Sequence, residues 1–208
     1  MKISQSRLFT RVQLSAVLAA AVAVTSSAQA HKPRGPKAPD VPATIQVPAG
    51  NEPYFIGHAI GTQNYSCLPS AASATGFAWT LFTPQALVLN RSDRQIATHF
   101  FSPNPAESGT VRAAWQHSDD SSIVWGKGFP PSFDPAYVAP GAIAWLLIEA
   151  KGTQEGPHDG DYFTQTTFIH RVNTAGGMAP ATGCSTAQEI GKSIFVPYTA
   201  DYVFYRAD

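Results

Sequence analysis

The chain carries little charge for its length. Only 13% of its 208 residues are Asp, Glu, Lys or Arg, whereas about 25% is usual for soluble domains. The 14 basic and 14 acidic side chains cancel, so the formal net charge is zero. Proteins that bind nucleic acid through electrostatics need a clustered excess of basic residues. The composition therefore excludes that class, and we expect no nucleic-acid partner.

Helical patterning and long apolar runs are also scarce. Beyond residue 30, no segment places apolar residues at the i, i+3, i+4 and i+7 spacing of an amphipathic helix over three turns. The 16 glycines and 17 prolines interrupt the chain at short intervals. No run in this part of the chain approaches the roughly 20 apolar residues needed to cross a bilayer. We therefore predict little helix and no membrane span.

Apolar residues are nevertheless plentiful. They make up 44% of the chain, which excludes disorder for most of it because this much apolar surface can offset the entropy of ordering. Short runs of β-branched and aromatic residues between the breaks predict about ten strands. These are Tyr54–Leu68, Phe77–Phe82, Ala86–Leu89, Gln95–Phe101, Val111–His117, Ser122–Trp125, Ile143–Ala150, Tyr162–Asn173, Ser193–Pro197 and Tyr202–Tyr205. The predicted fold is a single all-β domain, either a β-sandwich or a β-barrel.

The N-terminus has the pattern of a secretory signal. Residues 1–30 combine a basic start, an apolar stretch and the small-residue site Ala28–Ala30. Cleavage after Ala30 would leave His31 as the first residue. Residues 31–42 contain four prolines and predict an extended linker. We therefore expect a protein secreted to the periplasm or the extracellular space, with its folded domain in residues 43–208.

Two cysteines follow the predicted signal. An even number of cysteines in an oxidising compartment favours a disulfide, here between Cys67 and Cys184. Two buried free thiols or a metal-binding pair are the alternatives.

Several segments together are similar to a known family. They are Gly61–Cys67, His99–Phe100, Trp115, Trp145–Leu146, Arg171–Gly177, Cys184 and Val196–Tyr205. Their order and spacing resemble the domain-of-unknown-function family numbered 3455, whose members include uncharacterised secreted bacterial and fungal proteins. The resemblance covers about residue 41 to the C-terminus. It implies an exported, largely β domain and no established activity.

Polar and aromatic side chains share the long predicted strands, and these supply the candidate site. Side chains of this kind can hold a polar ligand in the cleft of a β-protein. The candidates are Gln63, Tyr65, His99, Trp115, Arg171, Asn173 and Thr174. We predict from them a non-catalytic module that binds a small polar molecule or a saccharide. No catalytic residue is assigned, and no oligomeric state is predicted.

Two other functions stay open. An N-terminal histidine offers an amine and an imidazole to copper, so His31 and His99 could form the site of a copper-dependent oxidoreductase. The linker that follows His31 argues against this, because a copper site of that kind needs the terminus to pack against the domain. The third alternative is a structural or protein-interaction domain. Apart from copper in the second alternative, no cofactor is predicted.

Overall fold

The computed structural model describes residues 35–208. The predicted signal, His31 and the first part of the predicted linker lie outside the described residues. Eight strands form the described domain. They are β1 (Asn51–Pro69), β2 (Phe77–Leu89), β3 (Gln95–Asn104), β4 (Thr110–His117), β5 (Ile123–Gly128), β6 (Leu146–Gln154), β7 (Phe168–Gly176) and β8 (Ser193–Ala207). The helical segments in this part of the chain are 3₁₀ turns at Ala43–Ile45, Pro105–Glu107, Pro157–Asp159 and Ala187–Glu189.

The strands form a closed antiparallel barrel. Each strand pairs with the next one in sequence, and β8 pairs with β1 to complete the ring. Ala59 of β1, for example, lies opposite Val88 of β2 on one side and Ala200 of β8 on the other. The all-β prediction is confirmed, and the choice between sandwich and barrel resolves to a barrel.

Two of the predicted breaks lie inside continuous strands, which explains why ten predicted strands correspond to eight. Pro84 lies within β2 and Pro197 within β8. Proline cannot donate to a strand ladder, so it is tolerated where a strand is paired on one side only. The pairing of β2 with β3 begins at Ala86, and the pairing of β8 with β7 ends at Tyr198. Pro84 therefore lies just outside the β2–β3 ladder and Pro197 just outside the β7–β8 ladder, while both are paired with β1.

Alternation along the strands fills the barrel interior. In β8 the inward residues Tyr198, Ala200, Tyr202 and Phe204 are all buried in one apolar cluster. In the middle of β1 the inward positions Gly57, Ala59 and Gly61 are small, and a Cβ added at Gly61 would meet the backbone of Ala86. Aromatic residues close one end of the barrel. They are Tyr54, Phe55, Tyr162, Phe163 and Phe204.

A second apolar cluster lies on the outside of the barrel. It contains Trp145, Val203 and Tyr205, and it is covered by the segment that precedes β1, including Val41 and Ile45. His170 Nε2 donates to the Ile45 carbonyl at 2.7 Å, which fastens this segment to β7. The end of the predicted linker is thus buried against the barrel.

The predicted disulfide is confirmed. Cys67 and Cys184 are bonded, with 5.4 Å between their Cα atoms, and they are 117 residues apart in sequence. The bond joins the end of β1 to the connection between β7 and β8. In residues 35–208 there is no helix both long and apolar enough to span a bilayer.

Candidate functional site

A cavity of about 480 Å³ occupies the end of the barrel opposite the aromatic closure. This volume is in the range of sites that bind small molecules, roughly 300–1,000 Å³. Its walls run from buried side chains inside the barrel to exposed ones at the rim. Five of the seven predicted site residues line it, namely Gln63, Tyr65, His99, Trp115 and Arg171.

Strand alternation and register bring these five side chains together. His99 of β3 lies directly opposite Trp115 of β4. On the other side of β3, Ala86 of β2 lies opposite His99, and Gly61 of β1 lies opposite Ala86. Because side chains alternate between the two faces of a strand, every second residue from an inward position also faces inward. Residues far apart in the sequence therefore meet inside a closed barrel, although the pattern of each strand alone does not show which other strands lie beside it.

His99 and Trp115 form one packed unit in the cavity wall. Their rings stack with centroids 4.2 Å apart and planes 10° apart. His99 Nδ1 donates to the Ala114 carbonyl at 2.9 Å. Burial lowers the pKa of His99 to about 3. The imidazole is therefore neutral near neutral pH, and its Nε2 atom carries no proton because Nδ1 carries it.

Arg171 contributes a cation without an acid beside it. Its Nε and Nη2 atoms donate to the Ala144 carbonyl at 3.1 and 2.9 Å. No ion pair to Arg171 is present within the described part of the chain. Glu149, on the neighbouring strand β6, instead pairs with Lys151 at 2.6 Å. Arg171 therefore faces the cavity with its charge uncompensated by the protein.

Hydroxyl and amide groups complete the polar part of the wall. The Tyr65 hydroxyl donates to the Gly177 carbonyl at 2.7 Å. The Gln63 and Trp115 side chains are almost wholly buried, and Trp115 Nε1 has no hydrogen-bond partner among the described residues. An unpaired buried donor costs about 1–3 kcal/mol.

Asn173 and Thr174 are not brought to the cavity. Asn173 has a positive φ of 50°, and its Nδ2 donates to Asp201 Oδ2 at 2.8 Å. Thr174 is buried, and its hydroxyl donates to the Ile143 carbonyl at 2.6 Å. The pairing of β7 with β8 shifts register between Val172 and Ala175, which breaks the simple alternation at these two residues. Both side chains instead form hydrogen bonds that join β7 to other segments of the domain.

Other cavity residues were not among the predicted ones. Tyr202, on β8, lines the cavity. Its inward direction could have been predicted from the sequence, because Tyr198, Ala200 and Phe204 lie at alternating positions on the same face of the strand. Burial raises the pKa of Tyr202, and the nearby Arg171 guanidinium opposes that rise. Phe133 and Met178 lie in connections between strands, where no periodic signal could have found them.

Metal ligands do not cluster in the described domain. Within residues 35–208, no group of three or more His, Cys, Asp or Glu side chains is arranged to hold a metal ion. His31, half of the predicted copper site, lies outside the described residues. The copper alternative therefore stays a prediction from the sequence.

Comparison with known proteins places the chain in a family. No curated protein matches it, and no solved structure matches it. A family described as "Protein of unknown function (DUF3455)" matches residues 48–206, which contain all eight strands apart from the last residue of β8. The chain belongs to this family.

Proposed function

We propose that this protein is a non-catalytic binding module that takes a small molecule into the open end of its barrel. The observation that carries the proposal is the meeting of Gln63, Tyr65, His99, Trp115 and Arg171 in one cavity. We also propose that the module works after export, which the Cys67–Cys184 disulfide supports because such bonds persist in oxidising compartments.

The composition of the wall supports binding over catalysis. Among the described residues that line the cavity there is no serine, threonine or cysteine, and no aspartate or glutamate. Nucleophilic catalysis usually pairs such a hydroxyl or thiol with a base, and acid–base catalysis often uses a carboxylate. The cavity's histidine, His99, has a lowered pKa and uses one nitrogen to bind the protein backbone.

The packing of the aromatic residues narrows the ligand class. Trp115 leaves little ring surface for a saccharide, because His99 covers one of its faces and Tyr202 and Phe204 contact the indole edge to face. Much of the remaining wall is apolar. Its members include Leu81, Phe101, Val111, Leu146 and Ile148. We therefore favour a small molecule with an apolar body over a saccharide.

Filling the cavity tests the proposal. Gly128 lines the cavity, and a Cβ added there would meet its nearest atom, Leu146 Cδ1, at 3.9 Å, which is an ordinary contact. The Gly128→Phe side chain should therefore occupy the cavity without displacing the backbone. We expect the wild type to raise the fluorescence of the uncharged dye N-phenyl-1-naphthylamine, and we expect Gly128→Phe to lose most of that rise.

A matched variant adds the same ring outside the barrel. Thr80 is exposed on β2 and does not line the cavity. Thr80→Phe should bind the dye as the wild type does. Equal fluorescence from the wild type and the Gly128→Phe variant, or none from either, would contradict the proposal.

A further inference from the structure

The charged residues that line the cavity all have the same sign. Arg112, Lys127 and Arg171 line it, and no acidic side chain is among the described residues of the lining. Low-dielectric walls strengthen the field of such charges, because apolar groups screen them less than water does. The cavity therefore favours an anion over a neutral molecule or a cation.

The three cations differ in whether the protein neutralises them. Arg112 donates from Nε and Nη2 to the two carboxylate oxygens of Glu107, at 2.8 and 2.6 Å. Lys127 is exposed to solvent, where its charge is well screened. Arg171 is half-buried and has no carboxylate partner within residues 35–208. Of the three, Arg171 is thus the one that most needs a counter-ion.

Guanidinium geometry suits a carboxylate. The planar group offers several N–H donors in a fixed fork, which matches the two oxygens of a carboxylate. The contact to Ala144 fixes the plane of the Arg171 guanidinium, so little side-chain freedom remains to be lost when an anion binds.

The rim has the opposite character. Val111, Phe133 and Met178 line the cavity, yet they are 57%, 58% and 45% exposed. Large apolar side chains exposed next to one another commonly mark a place where an apolar surface binds. A ligand that reached from Arg171 to the rim would cover them with its apolar part.

We propose that the ligand is an amphipathic monocarboxylate, an inference that rests on the proposed function. Its carboxylate pairs with Arg171 inside the barrel, and its apolar body extends along Phe101 and Leu146 towards Val111 and Phe133 at the rim.

Three probes, each with a chain of ten carbon atoms, test this inference. They are decanoate, 1-decanol and decyltrimethylammonium, titrated by calorimetry into the full mature protein at neutral pH and low salt. We expect decanoate to bind about tenfold more tightly than 1-decanol, a difference of about 1.4 kcal/mol. We expect decyltrimethylammonium to bind more weakly than 1-decanol. These three affinities need no variant, so the test does not depend on whether a substitution folds.

Two variants assign the preference to Arg171. Arg171→Gln should bring the affinity for decanoate down to that for 1-decanol, and Arg171→Lys should keep part of the difference because it keeps the charge. Arg94→Gln is the matched control, since it removes one positive charge at an exposed ion pair with Asp119 that is not part of the cavity wall. Near-ultraviolet circular dichroism checks that each variant keeps its packed aromatic residues.

The outcomes separate this inference from the proposed function. If the three probes bind with equal affinity, or if Arg171→Gln keeps the full preference for decanoate, the inference is overturned while the barrel still binds small molecules. If decanoate does not bind although the uncharged dye does, the inference is likewise overturned. If neither decanoate nor the dye binds, the proposed function fails as well.

Discussion

Burial of single residues sets the charge of two histidines, His99 in the cavity wall and His170 beneath the segment that precedes β1. His99 is almost fully buried, so its protonation would place a charge beside Trp115 and near Arg171. Burial also lowers the pKa of His170, whose Nδ1 and Nε2 atoms bind the Tyr205 hydroxyl and the Ile45 carbonyl. His99 is therefore neutral near neutral pH, and burial disfavours a charge on His170 as well.

Stability should fall as the pH drops below the ordinary pKa of histidine. In the folded protein the pKa of His99 is about 3, whereas in the unfolded chain it has the ordinary value of 6.5. The stabilisation is fully present above pH 6.5, and it is lost at about 1.4 kcal/mol for each pH unit below that value. His170 adds to the loss in the same direction.

Urea unfolding between pH 6.5 and 5 measures this slope. This pH range lies above the ordinary pKa of carboxyl groups, so the protonation of histidines dominates the change in stability. We expect a smaller slope in His99→Gln than in the wild type. Equal slopes in the two proteins would show that His99 is not a buried neutral side chain.

Residue positions could be predicted where alternation is regular. The polar and aromatic content of single strands predicts Gln63, Tyr65, His99, Trp115 and Arg171, and all five line one cavity. The same content also predicts Asn173 and Thr174, but the register shift in β7 takes these two away from the cavity. A register shift depends on pairing with another strand, so a strand's own sequence does not reveal it.

At the scale of elements, prolines and loops set the limits of prediction. In the sequence alone, Pro84 and Pro197 indicate strand breaks. The residues around them do not show that pairing with β3 ends beside Pro84, or that pairing with β7 ends beside Pro197. The predicted strand at Tyr162–Asn173 starts only at Phe168, since Tyr162 and Phe163 turn inward to close the end of the barrel.

The connection between β7 and β8 depends on its disulfide. Cys184 holds this connection to the end of β1, and Trp79 Nε1 adds a hydrogen bond to the Thr182 carbonyl at 2.9 Å. Met178, which contributes to the rim of the cavity, belongs to the same connection.

Removing both cysteines should destabilise the protein without changing its fold. We expect Cys67→Ala/Cys184→Ala to lower the free energy of unfolding by about 2–5 kcal/mol, because a crosslink across a long loop restricts the unfolded chain. Hydrogen exchange should become faster in residues 177–192, while the far-ultraviolet spectrum stays that of β-sheet. Reduced wild type is the control and should lose the same stability. An unchanged stability of the double variant would contradict this account of the bond.

At the scale of the whole molecule, closure creates the cavity. Alternation shows which residues share a face, but a sandwich and a barrel share the same alternation, so the sequence left both open. Closure places the inward faces of eight strands around one space. Large aromatic residues fill that space at one end, and glycines and alanines such as Ala113, Gly126 and Gly128 leave it open at the other.

The indole N–H signals of the four tryptophans provide the most direct test of a ligand in that cavity. Trp115 lines the cavity, whereas Trp79 and Trp125 donate to Thr182 and Ser102 elsewhere. Trp145 is a close internal control, because its indole nitrogen is also buried and unpaired but lies in the outer apolar cluster.

A ¹H–¹⁵N nuclear magnetic resonance titration with decanoate reads all four signals at once. We expect the Trp115 indole signal to shift with ligand concentration while the Trp145 signal stays in place. A titration that moves the Trp145 signal and leaves the Trp115 signal unchanged would contradict binding inside the barrel.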